Sequence, residues 1–214
     1  MIALHAQTLA DAAEHLHDDE IHVWQVAYQR QHGREPLRAT LAAYLGIDTQ
    51  DVTLTDGEHG RPALCAAHDP SLGFNWSHSG QHALIAIGRG ITPGIDLELL
   101  RARPNALEIA ERFFSADEIA LLAALAPIDR DVAFLELWTA KEAVLKALGR
   151  GIAFGLHRLS IVRNGDQLHL HRLDGEDVQA WQLQRLYIDA AQVAALAWRG
   201  DKRSIRLCTL AKTA

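Results

Sequence analysis

Asp96 and Glu98 stand two apart in the segment Gly94–Leu99, GIDLEL. On a strand this spacing sends both carboxylates to one face and Leu97 and Leu99 to the other. Like charges side by side on an apolar strand are unfavourable unless something positive lies between them. Ligands that are all oxygen suit Mg²⁺, which takes one or two carboxylates and leaves positions for water and phosphate oxygens. Taken alone, Asp-x-Glu is more simply a solvated strand face with two acids.

A second group lies in WTAKEAVLK (138–146) and the turn before it, where Phe134, Trp138, Glu142 and Lys146 fall four apart and form one stripe on a helix. The plain explanation is a core tryptophan and a Glu142–Lys146 surface pair, worth a few tenths of a kcal/mol. Lysine usage argues for more. The chain has four lysines, at 141, 146, 202 and 212, and two of them sit in this segment. A sequence that elsewhere uses arginine for positive charge needs an ammonium here, as a compact point charge for a phosphate.

The third group is FNWSHSG, with Asn75, Ser77, His78 and Ser79 ahead of the apolar run Ala83–Ile87. Neighbours in an extended chain point to opposite sides, and no G-x-S-x-G elbow is present, so a serine hydrolase is disfavoured. A turn supplying hydroxyl donors to an anion and an ordinary polar loop explain it equally well. His15, His17 and His22 lack a complementary ligand set and are assigned to a solvated surface.

These groups need elements to hold them. Residues 21–28 are apolar-periodic in a way that allows a helix, and Arg38–Leu45 is helix-forming with Gly46 at its C-terminus. Asp56–Pro62 is rich in turn residues. Ala83–Ile87 and Gly94–Leu99 are expected as strands. Ser115 and Glu118 have capping-box spacing, with Phe114 and Ile119 placed for the hydrophobic staple. A helix follows over 131–148, ended by Gly149, then strands at 159–162, 168–172, 181–188 and 193–198. The class is α+β. A helix-then-strands order recurs in two halves that divide near residues 101 to 105, giving 1–103 and 104–214.

Composition bounds the function. The 214 residues carry 21 Lys+Arg against 27 Asp+Glu, a formal charge of -6. That argues against a protein that grips nucleic acid through phosphates, though it permits a local basic pocket. Cys65 and Cys208 are too few for a disulfide framework and have no metal-binding spacing. No apolar run is long enough to span a membrane and no export signal is visible, so a soluble cytoplasmic protein is expected.

In chain order, GRP at 60–62, FNWSHSG at 74–80, GIDLE at 94–98, FFSADE at 113–118 and WTAKEAVLK at 138–146 resemble the 4′-phosphopantetheinyl transferase superfamily in its long, Sfp-type form. The likeness runs from about Arg38 to Ile152, and the joint G-[IV]-D-x-E and W-x-x-K-E-[AS]-x-x-K pattern carries it. Trp76, where the family usually has an aliphatic residue, and Arg61, where some members have Lys, are departures that remove no charge or metal ligand.

The resemblance implies Mg²⁺-dependent transfer of the phosphopantetheine arm of coenzyme A to a serine of an acyl or peptidyl carrier protein. It implies Asp96, Glu98 and Glu142 at the metal, and Glu142 and Lys146 in catalysis. Lys146 would also face the diphosphate, and Arg38, Arg61, Ser77 and His78 would hold the nucleotide end with its 3′-phosphate. The implied fold is a pseudo-dimer in one monomeric chain, with the active site in the cleft between two similar α/β halves. A Mg²⁺-dependent phosphohydrolase and a non-catalytic carrier-protein or coenzyme A binder are the alternatives.

Overall fold

Two β-sheets pack face to face, and helices cover the outer side of each. The computed structural model describes residues 4–57, 60–165 and 167–210; Glu58 and His59 of the turn-rich stretch, and Lys212, lie outside them. The elements are β1 (Leu4–Gln7), α1 (Leu9–Glu14), β2 (Glu20–Ala27), α2 (Glu35–Leu45), β3 (Leu54–Asp56), β4 (Pro62–Leu64), β5 (Leu72–Ser79), β6 (His82–Arg89) and β7 (Gly94–Leu99). They continue with α3 (Ala106–Phe113), α4 (Ala116–Ala123), α5 (Pro127–Leu148), β8 (Leu159–Asn164), β9 (Gln167–Leu173), β10 (Trp181–Leu186), β11 (Gln192–Arg199) and β12 (Ser204–Leu210). The fold is α+β, as expected.

One sheet runs β1-β12-β2-β6-β5 and the other β10-β11-β7. The first buries Trp24, Phe74, Ile85 and Ile87 against Leu37 and Leu41 of α2. The second buries Val193, Ala195 and Ala197 against Phe134, Ala140 and Ala143 of α5. Ile21, Val23, Leu84 and Ala86 of the first sheet meet Ile95, Leu97, Leu196 and Trp198 of the second in a core between the sheets.

The order helix, hairpin, hairpin, strand occurs twice, as α2, β3-β4, β5-β6, β7 and as α5, β8-β9, β10-β11, β12. Each closing strand crosses over: β7 pairs with β11, and β12 pairs with β2. Each run of this order therefore leaves its closing strand in the other's sheet.

Residues 21–28 correct the helical expectation, because Glu20–Ala27 is a strand. It lies inside the five-stranded sheet with a core on each face, so its apolar run is continuous, and such a run does not separate a helix from a fully buried strand. His22 on the same strand is fully buried, with Nδ1 2.7 Å from Tyr44 Oη, which overturns its assignment to the surface. His15 and His17 are exposed.

Among the expected helices, α2 ends at Gly46 (φ 66°) and α5 at Gly149 (φ 76°), both left-handed caps. The capping box at Ser115 forms, with its N–H donating to Glu118 Oε2 at 2.9 Å. No helix among the described residues is long and apolar enough to cross a membrane.

Candidate active site

Strand β7 lies under α5, and Gly94 sets how closely. A Cβ on Gly94 would run into the Ala143 carbonyl and the Ala147 amide of the helix. With glycine there, and Ala143 and Ala147 opposite, the helix settles directly on the strand. Ile95 and Leu97 face the inter-sheet core, so Asp96 and Glu98 share the α5 side with Gly94.

Each carboxylate has its own cation and its own hydroxyl. Asp96 Oδ1 accepts from Lys146 Nζ at 2.8 Å and from Ser77 Oγ at 2.8 Å. Lys146 Nζ also donates to the Ile95 carbonyl at 3.0 Å. Glu98 Oε2 accepts from Arg103 Nη2 at 3.1 Å and from Ser79 Oγ at 3.2 Å. Asn75 continues the ladder, its Oδ1 accepting from the Ile95 N–H at 2.9 Å. Asn75, Ser77 and Ser79 thus stand two apart on β5, and each hydrogen-bonds to β7 through its side chain. This answers the requirement that positive charge lie beside the acid pair.

Glu142 is different. Its Oε1 is shut off from water and has no hydrogen-bond partner. Burial, and then the charge of Asp96, push its pKa up to about 7, with Lys146 opposing. Lys146 therefore lies within electrostatic reach of Glu142, but its hydrogen bonds go to β7 rather than one turn back along its own helix.

Glu142 and Lys146 open onto a cleft of about 560 Å³ that is also lined by Arg61, Asn75, Trp76, Gly149 and Ile152. Arg61 Nη2 donates to the carbonyls of Phe74 (3.0 Å) and Pro93 (3.3 Å), and burial lowers its pKa. His78 stacks on Tyr28, with ring centroids 4.1 Å apart. Partial burial, and then the Lys146 charge, lower the His78 pKa. Arg38 does not line this cleft. It donates from Nη1 to the Val52 carbonyl at 3.2 Å and borders a separate depression with Glu35, Asp48, Thr49 and Gln50. A larger hollow of about 750 Å³ lies against β9 and β10, and its lining contributes no carboxylate.

The donor set suits a hard cation: three carboxylates near one another, one with an orphaned oxygen. It does not form a ready-made oxygen shell. Among the described residues, no three His, Cys, Asp or Glu side chains are gathered closely enough to hold an ion. The reason is local: Asp96 is turned onto Lys146 and Ser77, and Glu98 onto Arg103 and Ser79.

Lys141, the other lysine of this segment, is fully buried. It pairs with Glu118 Oε2 at 2.7 Å and donates to the carbonyls of Leu156 and Leu159. Glu118 Oε1 in turn accepts from the Ile161 N–H at 2.8 Å. The Lys141–Glu118 pair ties α4, α5 and the start of β8 together.

Asp96, Glu98, Glu142 and Lys146 all fall within a stretch that matches a known family. The family model for the 4′-phosphopantetheinyl transferase superfamily matches residues 92–197. The 4′-phosphopantetheinyl transferase HetI of Nostoc sp. is 35% identical over 199 residues, covering 90% of this chain and 82% of HetI. The chain belongs to the 4′-phosphopantetheinyl transferase superfamily.

Within the superfamily, the protein slr0495 of Synechocystis sp. is 36% identical over 150 residues, 70% of this chain and 61% of slr0495. The 4′-phosphopantetheinyl transferase Sfp of Bacillus subtilis is 33% identical over 125 residues, 58% of this chain and 54% of Sfp. The chain thus spans less than two thirds of these two relatives. The crystal structure of Thermotoga maritima holo-[acyl-carrier-protein] synthase aligns with a TM-score of 0.42 and 19% identity, over 51% of this chain and 62% of that one.

Of the residues singled out from the sequence, Asp96, Glu98, Glu142 and Lys146 lie near one another, with Ser77 hydrogen-bonded to Asp96, whereas Arg38 stands apart. Arg103 and Tyr28 were missed as neighbours of the site. Ser79 was singled out as a hydroxyl donor to an anion, and its partner is Glu98. No sequence signal marks Arg103 or Tyr28.

Proposed function

We propose that this chain transfers the 4′-phosphopantetheine arm of coenzyme A to a serine hydroxyl of an apo acyl or peptidyl carrier protein, releasing adenosine 3′,5′-bisphosphate. The observation that carries the reading is the unpartnered, buried Glu142 Oε1 at a cleft that also presents Lys146. A general base must offer an acceptor that nothing else already occupies. Serine Oγ attacks the phosphorus on the pantetheine side of the diphosphate. A new P–O bond forms as the P–O bond to the nucleotide phosphate breaks, and Glu142 takes the serine proton.

Lys146 neutralises charge on the diphosphate as the leaving group departs. Asp96, Glu98 and Glu142 would hold Mg²⁺, which when bound offsets charge on the phosphoryl oxygens. Arg61, Ser77 and His78, with Arg38 from its own depression, would hold the nucleotide end and its 3′-phosphate. The two halves act as a pseudo-dimer in a cytoplasmic monomer.

Mass analysis of a panel of apo-carrier proteins incubated with the protein, Mg²⁺ and coenzyme A tests this. One added phosphopantetheine mass on the carrier serine is expected. A panel left unmodified, while a known transferase modifies it, overturns the reading. Release of pantetheine phosphate to water would instead mark a phosphohydrolase.

A further inference from the structure

Arg103 belongs to the irregular stretch between β7 and α3, and its backbone N–H donates to Asp131 Oδ2 on α5 at 3.1 Å. That bond holds the residue beside the acid pair. From there its Nη2 reaches Glu98 Oε2 at 3.1 Å, while its Nε is shut off from water without an acceptor. The guanidinium is therefore engaged by one nitrogen and unsatisfied at another.

Across the site, Asp96 is paired with Lys146 and Glu98 with Arg103, while Glu142 Oε1 has no hydrogen-bond partner. A third carboxylate near two others in a half-buried cleft makes counter-charge necessary, and arginine supplies it without titrating.

We infer that Arg103 is a placeholder cation: its guanidinium occupies Glu98 until a divalent ion takes that carboxylate, so the two compete for the same oxygen. This rests on the proposed role of Asp96, Glu98 and Glu142 as cation ligands. The pair is only partly sheltered, with side-chain exposures of 25% and 22%, and a pair so open to water is weak enough for a divalent ion to displace. Arg103 is thus a positioning residue that acts through Glu98 and sets how readily the site loads.

The test is Mn²⁺ binding to the full chain without coenzyme A, followed by the electron paramagnetic resonance signal of free Mn²⁺. Arg101 is exposed on the same stretch, so R101Q serves as the charge control. R103Q should bind Mn²⁺ about tenfold more tightly than wild type, R101Q within about twofold, and R103K between wild type and R103Q. Equal or weaker binding by R103Q overturns the inference, as does an equal gain in R101Q, which would reflect net charge alone. Wild type that binds no Mn²⁺, with D96N behaving identically, overturns the cation reading itself.

Should R103Q fail to fold, the wild-type protein supplies the measurement. The Arg103 Nε–H nitrogen resonance, assigned by its loss in R103K, should shift with Mg²⁺ along the same saturation curve as the site. A resonance that stays put while the carboxylate carbons respond refutes the competition.

Discussion

Lys146 Nζ lies 2.8 Å from Asp96 Oδ1, on a different element 50 residues away, and makes no hydrogen bond to Glu142 on its own helix. This contact helps tie α5 to β7, and Glu142 Oε1 is left without a partner. The structure thereby separates a lysine committed to the strand from a carboxylate that borders the cleft.

Lys146→Met should therefore remove a charge and a tether together. We expect kcat/KM for carrier modification to fall by about a hundredfold or more, since transition-state charge on the diphosphate loses its nearest ammonium. Unchanged circular dichroism alongside that loss would assign the effect to the site. Near-normal turnover would place Lys146 outside the chemistry.

Glu142→Gln separates function from stability. An unpartnered buried carboxylate beside Asp96 and Glu98 costs folding free energy, so the amide should stabilise the free protein by about 1 kcal/mol. Turnover should drop by about a hundredfold or more, without full recovery at high Mg²⁺. Urea denaturation and single-turnover kinetics on the same preparation check both halves.

Breaking the Lys141–Glu118 pair from one side leaves a charge stranded in the core. Lys141→Met should destabilise by about 3–5 kcal/mol, and the double variant Lys141→Met/Glu118→Gln by clearly less. A single variant within about 0.5 kcal/mol of wild type would show that the pair is structurally idle.

Gly94→Ala tests the close approach. Its methyl would meet backbone on α5, which cannot rotate away, so a loss of about 3 kcal/mol is expected. The same variant should weaken catalysis in whatever fraction stays folded, because the helix carrying Glu142 and Lys146 must lift off β7.

His22 supplies a pH dependence of stability. Burial lowers its pKa from 6.5, the Glu20 hydrogen bond raises it, and Arg206 and His17 reinforce the lowering. The folded pKa lies below the unfolded one, so the unfolded chain takes the proton first. Stability is full above about pH 6.5 and is lost as pH falls toward the folded value. Denaturation midpoints should decline from pH 7.5 to 5.5, and His22→Gln should flatten that decline. An identical slope in both proteins would exonerate His22.

Much was legible in the chain itself, because it is local. Asp96 and Glu98 share a face whatever lies beside them, Glu142 and Lys146 share a stripe, and Gly46 and Gly149 end helices where only glycine is comfortable. Residues at fixed spacing on one element are placed by backbone geometry alone. Partners were not legible. The sequence offered Glu142 as the natural mate of Lys146, and the fold chose Asp96. It offered Ser77 and Ser79 as donors to an anion, and the fold set them on two carboxylates. His22 went to the core rather than the surface, since burial depends on what packs above a residue. Strand β12 was overlooked although Ile205 and Leu207 alternate with Ser204 and Arg206, and the exchange of β7 and β12 between sheets left no local trace. Those choices depend on how β5 of one sheet lies against β7 of the other and on how closely α5 approaches at Gly94, distances set only when separate elements pack together.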